Sequence, residues 1–169
     1  GSTFWFDIDL PVSTEKVDAP NTNSLLAQEL ADDSKQQLLA GANILLVEDN
    51  NLNIKVATSF LQRWGAQVEV ALNGEEALEK LDPKKHHLVL MDLHMPVMDG
   101  YVATRKLRER GETLPIIALT ASLAKEVEGD AFKAGLDAII VKPFNPDELR
   151  ETIWRQLKRT SWNNVSGND

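Results

Sequence analysis

Cysteine is absent from this 169-residue chain, which excludes disulfides, thiolate metal sites and cysteine nucleophiles. Basic residues are scarce: 18 Lys and Arg stand against 26 Asp and Glu, and the formal net charge is −8. This balance disfavours binding to nucleic acid, which depends on a basic surface. No apolar run approaches the roughly 18 residues of a membrane-spanning helix, and no N-terminal basic and apolar signal occurs.

The composition is otherwise that of a soluble globular protein, with 43% hydrophobic and 26% charged residues. The acidity is concentrated at the start of the chain. Residues 1–42 carry 7 acids and 2 bases, whereas residues 43–169 carry 19 acids and 16 bases. We therefore expect the first forty residues to lie outside the main hydrophobic core.

Short, continuous apolar runs predict buried strands of a parallel sheet, because no polar residues alternate with the apolar ones. The runs are Ile44–Val47, Leu88–Met91, Ile116–Leu119 and Ala138–Val141. A fifth segment, Ala66 to Ala71, alternates apolar and polar residues and is predicted to be an edge strand.

Helical patterns lie between these runs, and several have clear start signals. Asn73 with Glu76 predicts a capping box, and Asn145 with Pro146 predicts the start of the last helix. Five strand–helix units in sequence predict an α/β fold with a doubly wound, five-stranded parallel sheet. Ligands of such sheets bind at the carboxyl ends of the strands.

Polar residues with compatible chemistry follow four of the predicted strands. They are Glu48, Asp49, Asp92, Thr120 and Lys142. Three carboxylates at one edge need a cation, and an oxygen-only set suits Mg²⁺, which also accepts phosphate oxygens. With a hydroxyl and a lysine nearby, the set suits phosphoryl transfer onto a carboxylate, Asp92.

Each of these signals is weak alone. A single Asp after a strand usually caps a turn, and a Lys-Pro pair usually belongs to an ordinary loop. Their occurrence in order at the ends of four strands favours a functional site.

Residues 42–159 closely resemble the receiver domain of two-component response regulators. The matching segments are Ile44-Leu-Leu-Val-Glu-Asp-Asn50, Met91-Asp-Leu-His-Met-Pro-Val-Met-Asp-Gly100, Ile117-Ala-Leu-Thr-Ala121 and Val141-Lys-Pro-Phe144. The resemblance implies the flavodoxin-like (βα)5 fold and phosphorelay signalling.

The resemblance also implies a role for each site residue. Asp92 would be the phospho-acceptor, with Mg²⁺ bound by Asp49, Asp92 and the backbone carbonyl of His94, and by Glu48 through water. Thr120 and Lys142 would bind the phosphoryl group, and the Lys142–Pro143 peptide would be cis. His94 and Ser122 would flank the path of the hydrolytic water.

One position departs from the family pattern. Many receivers have Tyr or Phe three residues before the lysine, and that ring moves inward on activation. Ile139 occupies this position in this chain. We therefore expect the Thr120 side chain to move inward on activation without the accompanying movement of an aromatic ring.

The residues at the two ends of the chain indicate a larger parent protein. Residues 1–11 resemble the last strand of a sensor histidine kinase ATP-binding domain, although Gly1-Ser2 could instead be left by expression. Residues 12–41 are predicted to be an acidic linker in which 24–40 can form a helix, and 160–169 a polar tail. This order predicts that the chain is the C-terminal module of a hybrid histidine kinase. We expect the module to be cytoplasmic, in a parent protein that can be membrane-anchored. The segment itself has no nucleic-acid or direct membrane contact in this interpretation.

The histidines do not supply a phosphate donor. We expect His86 and His87 to face solvent and His94 to lie in a loop, so phosphohistidine must come from a kinase dimerisation domain or a histidine phosphotransfer protein. No complete kinase is present, although the parent would be a phosphotransferase. Two alternatives stay open: a stand-alone receiver that binds a partner, and a Mg²⁺-dependent hydrolase with an aspartyl-phosphate intermediate. The hydrolase would usually need an acid at position 94.

Overall fold

The computed structural model describes residues 37–121, 125–160 and 162. Within these ranges, five strands alternate with five helices. The strands are β1 (Asn43–Val47), β2 (Gln67–Ala71), β3 (Leu88–Asp92), β4 (Ile116–Thr120) and β5 (Ala138–Val141). The helices are α1 (Asn51–Arg63), α2 (Gly74–Lys80), α3 (Gly100–Glu109), α4 (Lys125–Ala134) and α5 (Pro146–Arg159).

The five strands form one parallel sheet in the order β2-β1-β3-β4-β5. The predicted doubly wound α/β fold is therefore confirmed, and β2 lies at an edge as its alternating sequence predicted. Asp92 is in register with Leu119, and Thr120 with Val141. All strands point the same way, so their carboxyl ends share one edge.

Two hydrophobic cores cover the two faces of the sheet. One contains buried residues of α1 and α5, and the other contains buried residues of α2, α3 and α4. The central strands β3 and β4 are buried along their whole length, which explains their unbroken apolar sequences.

The helix starts follow local capping chemistry. The side chains of Asn50, Asn73, Asp99 and Asn145 each accept hydrogen bonds from the first turn of the following helix. The capping box at α2 differs in one detail, because the Glu76 carboxylate accepts from the backbone N–H of Leu72 and not of Asn73. These caps place the first turns of α1, α3 and α5 beside the edge of the sheet where the carboxyl ends of the strands lie.

Leu39 belongs to the core although it precedes β1. Its side chain is fully buried with α1 and α5, and its backbone N–H donates to the Trp64 carbonyl at 3.0 Å. The side chains of Trp154 and Trp162 are partly buried and pack against the same core. Leu39 thus packs the segment before β1 against the α1–α5 core.

The expectation that His86 and His87 face solvent is wrong. His86 is 1% exposed, and its Nδ1 accepts from the backbone N–H of Asp82 while Nε2 lies 3.2 Å from Glu69 Oε2. His87 is half-buried, and its Nδ1 accepts from Asn43 N–H. Burial, and then the charge of His86, lower the pKa of His87. Both imidazoles act as acceptors for backbone groups, which a pattern of polar residues before a strand does not reveal.

Several predictions concern residues outside the described ranges. They are the kinase-like strand 1–11, the linker and helix up to residue 36, Ser122, and residue 161 with 163–169 of the polar tail. Over the part of the chain that is described, no helix has the length and hydropathy needed to cross a membrane.

Candidate functional site

The predicted site residues meet at the carboxyl edge of the sheet. Glu48 and Asp49 follow β1, Asp92 and Thr120 end their strands, and Lys142 follows β5. Glu48 and Thr120 are 1% exposed and Asp92 is 6% exposed, whereas Asp49 is open to solvent. The edge therefore combines two buried carboxylates, Glu48 and Asp92, with one accessible carboxylate, Asp49.

Lys142 joins the two buried carboxylates. Its Nζ lies 2.6 Å from Glu48 Oε2 and 2.6 Å from Asp92 Oδ2. Burial alone would lower the pKa of Lys142, but its hydrogen bonds to Asp92 and Glu48 and the attraction of both charges raise it above its ordinary value. The ammonium is therefore charged throughout the physiological pH range and offsets part of the acidic charge.

Asn53 supports Glu48 from the first turn of α1, a role that the sequence analysis did not include. Its Nδ2 donates to Glu48 Oε1 at 3.1 Å, and the Asn50 N–H donates to the same oxygen at 3.2 Å. Both carboxylate oxygens of Glu48 are thus hydrogen-bonded, which fixes the side chain. The sequence signal that could have predicted this contact is an amide side chain five residues after an acid, at the junction of a strand and a helix.

Asp92 is held from its own loop and from α3. Its Oδ1 accepts from the backbone N–H of His94 at 3.0 Å. A Cβ at position 100 would overlap the carbonyl oxygen of Asp92, so only glycine permits this approach of α3. Asp99 caps the same helix through Val102 N–H at 2.8 Å. The Asp-Gly pair thus fixes α3 directly against the end of β3.

The His94 side chain is exposed and contacts an aromatic residue of α3. Its ring and that of Tyr101 are 6.4 Å apart at their centroids, with an interplanar angle of 87°. This is an edge-to-face pair. The imidazole therefore contacts α3, while the backbone N–H of His94 binds the Asp92 carboxylate.

The three acids fit a hard divalent cation. Glu48, Asp49 and Asp92 can each offer one oxygen, and these atoms lie within 4.8 Å of one another. An oxygen-only donor set with few protein carboxylates and room for water suits Mg²⁺. The residues therefore fit the ion that the sequence predicted.

Two further expectations concern Lys142, which is expected to bind the phosphoryl group, and Ile139, three residues before it. The Lys142–Pro143 peptide is cis, as the resemblance implied. Ile139 is half-buried and packs against the core formed with α2, α3 and α4. Part of its side chain therefore belongs to the hydrophobic layer on this face of the sheet.

Sequence comparisons agree with this arrangement. Residues 44–154 match the family described as "Response regulator receiver domain". The aerobic respiration control sensor protein ArcB of Escherichia coli is 36% identical over 156 residues, covering 90% of this chain and 18% of ArcB. Probable histidine kinase 4 of Oryza sativa is 36% identical over 143 residues, covering 71% of this chain and 14% of that protein. The transcription factor SKN7 of Saccharomyces cerevisiae is 34% identical over 147 residues, covering 87% of this chain and 23% of SKN7. The chain thus spans less than a quarter of each of these relatives.

Solved receiver structures are similar to this chain over 69–70% of its length. The receiver domain of the sensor histidine kinase PA1611 from Pseudomonas aeruginosa, described with a magnesium ion coordinated in its active site cleft, has 37% identity and a TM-score of 0.65. It covers 70% of this chain, and the match takes in 99% of that domain. Chemotaxis protein CheY4 of Vibrio cholerae has 32% identity and a TM-score of 0.65, covering 69% of this chain and 99% of CheY4. The strand order, the acidic edge and the sequence matches lead to one conclusion, that this chain belongs to the response regulator receiver domain family.

Proposed function

We propose that this domain accepts a phosphoryl group on Asp92 from a phosphohistidine, in a Mg²⁺-dependent step of a phosphorelay. The observation that carries the proposal is the position of the Asp92 carboxylate. It ends a central strand beside two other acids, and Lys142 Nζ is 2.6 Å from its Oδ2. A nucleophilic carboxylate, a cation site and an ammonium group are the parts that this reaction requires.

The proposed transfer forms one bond and breaks one bond. A carboxylate oxygen of Asp92 forms an O–P bond, and the P–N bond of the donor phosphohistidine breaks. The electron pair of the P–N bond goes to the imidazole nitrogen, which then takes a proton from solvent. The product is an acyl phosphate on Asp92.

The surrounding residues would stabilise the phosphoryl oxygens. Asp49, Asp92 and the His94 carbonyl would hold Mg²⁺, with Glu48 acting through water, and the bound ion would supply positive charge to those oxygens. Lys142 would move its ammonium from the two carboxylates to a phosphoryl oxygen. The Thr120 hydroxyl, at the end of β4, would donate to another oxygen.

We further propose that the domain comes from a hybrid histidine kinase and works in the cytoplasm. ArcB and the rice histidine kinase support this origin. The ArcB alignment covers 90% of the chain, more than the range 44–154 represents, so part of the similarity lies outside the receiver match. The kinase-like sequence at residues 1–11 supports the same order of domains.

A second candidate is a receiver that regulates a partner without an attached kinase. The similarity to SKN7, a transcription factor, favours this candidate. The reading frame upstream of Gly1 distinguishes the two, because only a hybrid kinase would encode an ATP-binding domain there. The hydrolase alternative is not supported, since position 94 carries an imidazole that faces Tyr101.

Acetyl phosphate provides a direct test of the acceptor. We expect intact-mass spectrometry to show the addition of one phosphoryl group with magnesium chloride and none with EDTA. Asp92→Asn should abolish the addition. Asp130→Asn is the matched control, because Asp130 lies on the exposed surface of α4, and it should be labelled like the unmodified chain. Equal labelling of Asp92→Asn would refute the assignment.

A further inference from the structure

The two oxygens of the Glu48 carboxylate have different partners. Oε2 accepts from Lys142 Nζ at 2.6 Å, and the same ammonium is 2.6 Å from Asp92 Oδ2. Oε1 accepts from the backbone N–H of Asn50 at 3.2 Å and from Asn53 Nδ2 at 3.1 Å, both at the start of α1. Glu48 is therefore held with Oε2 toward Lys142 and with Oε1 toward α1.

Asp92 is held in a similar way. Its Oδ1 accepts from the backbone N–H of His94 at 3.0 Å, while Oδ2 is the oxygen beside the ammonium. In the acidic cluster formed by Glu48, Asp49 and Asp92, each of the two buried carboxylates thus has one oxygen bound to an N–H group and one oxygen beside Lys142. An oxygen that already accepts such charge-assisted hydrogen bonds is a poorer ligand for a cation. Each buried carboxylate is therefore arranged to offer one oxygen and not two.

The number of carboxylate oxygens on offer bears on which divalent cation the acidic cluster prefers. Mg²⁺ and Ca²⁺ carry the same charge, so the net charge of the cluster attracts both ions. Ca²⁺ takes about 6–8 oxygen ligands and accepts bidentate carboxylates, whereas Mg²⁺ requires a compact octahedron and retains several waters. Carboxylates that each offer a single oxygen therefore favour Mg²⁺ over Ca²⁺.

We infer that Asn53 is a positioning residue that makes the cation site selective for Mg²⁺ over Ca²⁺, because its amide holds Oε1 of Glu48. The inference rests on the proposed function, since it takes the Mg²⁺ site of the phosphoryl transfer as given. The restraint on Asp92 comes from a backbone N–H, whereas the restraint on Glu48 comes in part from the Asn53 side chain. A substitution of Asn53 can therefore change the selectivity while all three carboxylates remain in place.

Calorimetric titrations of the full chain with magnesium chloride and, separately, with calcium chloride measure this selectivity. The quantity compared is the ratio of the two dissociation constants. In Asn53→Ala, Oε1 keeps only the 3.2 Å hydrogen bond from the Asn50 N–H, so Glu48 can offer both oxygens to the larger ion. A hydrogen bond to a charged group corresponds to roughly tenfold or more in an equilibrium constant, so we expect Ca²⁺ to bind about tenfold more tightly relative to Mg²⁺.

A second variant and a control separate the loss of the hydrogen bond from other effects. Asn53→Leu has a side chain of similar size to asparagine but no donor, so it should change the ratio in the same direction as Asn53→Ala. Asn51→Ala makes the same substitution at an exposed asparagine in the first turn of α1 and should leave the ratio unchanged. Thermal unfolding in EDTA verifies that each variant is folded, and a merely structural role of Asn53 would lower the unfolding temperature without changing the ratio.

The same titrations separate this inference from the proposed function. An unchanged ratio in either Asn53 variant, or an equal change in Asn51→Ala, would overturn the role of Asn53 and leave the Mg²⁺ site of the proposed function intact. If magnesium chloride gives no saturable binding to the unmodified chain, the cation site itself is contradicted, and both proposals fall with it.

Discussion

Lys142 gives the sharpest prediction, because it touches two buried carboxylates at once. In Lys142→Met the ammonium is lost, while Glu48 and Asp92 keep oxygens within 4.8 Å of each other. Two unit charges at that distance repel by about 3 kcal/mol at an effective dielectric constant of about 20. Removing one partner of a buried ion pair typically costs about 3–5 kcal/mol. We therefore expect the free energy of unfolding to fall by about 3 kcal/mol in EDTA.

The pH of the measurement follows from the shift of Lys142. Its pKa is raised above the ordinary value of 10.5, so its contribution to stability is complete below pH 10.5 and is lost as the pH rises through the folded-state pKa. A urea titration at pH 7.5, followed by tryptophan fluorescence, therefore measures the whole effect.

Magnesium should partly reverse the loss. Without the ammonium, a cation meets less repulsion at the acidic edge, so we expect Mg²⁺ to bind Lys142→Met at least about tenfold more tightly, roughly 1.4 kcal/mol. Calorimetric titration measures the affinity, and magnesium at about a hundred times its Kd should return about 2.7 kcal/mol of stability. Acetyl phosphate should nevertheless label the variant poorly, because no ammonium meets the phosphoryl group.

Lys133→Met is the control for the loss of a lysine. Lys133 is 81% exposed and lies 3.7 Å from Asp130, so its removal should cost less than about 1 kcal/mol and leave the magnesium response unchanged. Unchanged stability of Lys142→Met in EDTA, or weaker magnesium binding, would refute the reasoning, since Lys142 would then not compensate the carboxylates.

Three other predictions follow from the site and its surroundings. Exchanges at His94 and Ser122 should change the decay rate of the phosphorylated form, measured by mass spectrometry, without changing thermal stability; equal decay rates in both variants would contradict the roles carried over from the family. Ile139 is stiff at χ1 and half-buried, so beryllium fluoride should shift the amide resonances of residues 121–135 only modestly, and Ile139→Tyr should enlarge those shifts. If resonances shift only in the loops that carry the acidic residues, the response does not pass from Thr120 to residues 121–135. Asp130→Asn should lower the pKa of Tyr101, because Asp130 is one of the charges that raise it, and tyrosinate absorbance during a pH titration measures the change; an unaltered titration would place Asp130 too far from the phenol to matter.

The sequence allowed the fold and the position of the site to be predicted because both depend on short-range patterns. Apolar runs such as Leu88–Met91 define buried strands, and parallel strands necessarily bring residues that follow them, such as Glu48 and Asp92, to one edge. The pairing of Lys142 with both carboxylates needed three-dimensional distances, as did the support of Glu48 by Asn53.

The errors have the same physical origin. His86 looked solvent-facing because it lies in a polar stretch, yet the loop folds back and gives its imidazole a backbone donor and a carboxylate. The contact between His94 and Tyr101 joins residues seven positions apart through a loop, and no helical or strand period predicts it. Such contacts depend on how a loop returns to the domain, which the local sequence determines only weakly.

The burial of Leu39 has a mechanical consequence. Leu39 joins the segment before β1 to the domain, because its side chain is buried and its backbone N–H is hydrogen-bonded to Trp64 at the end of α1, at the amino edge of the sheet. The acidic cluster lies at the opposite edge, one strand length away. A pull on Leu39 would therefore act on the α1–α5 face of the sheet, a strand length away from the Asp92 carboxylate.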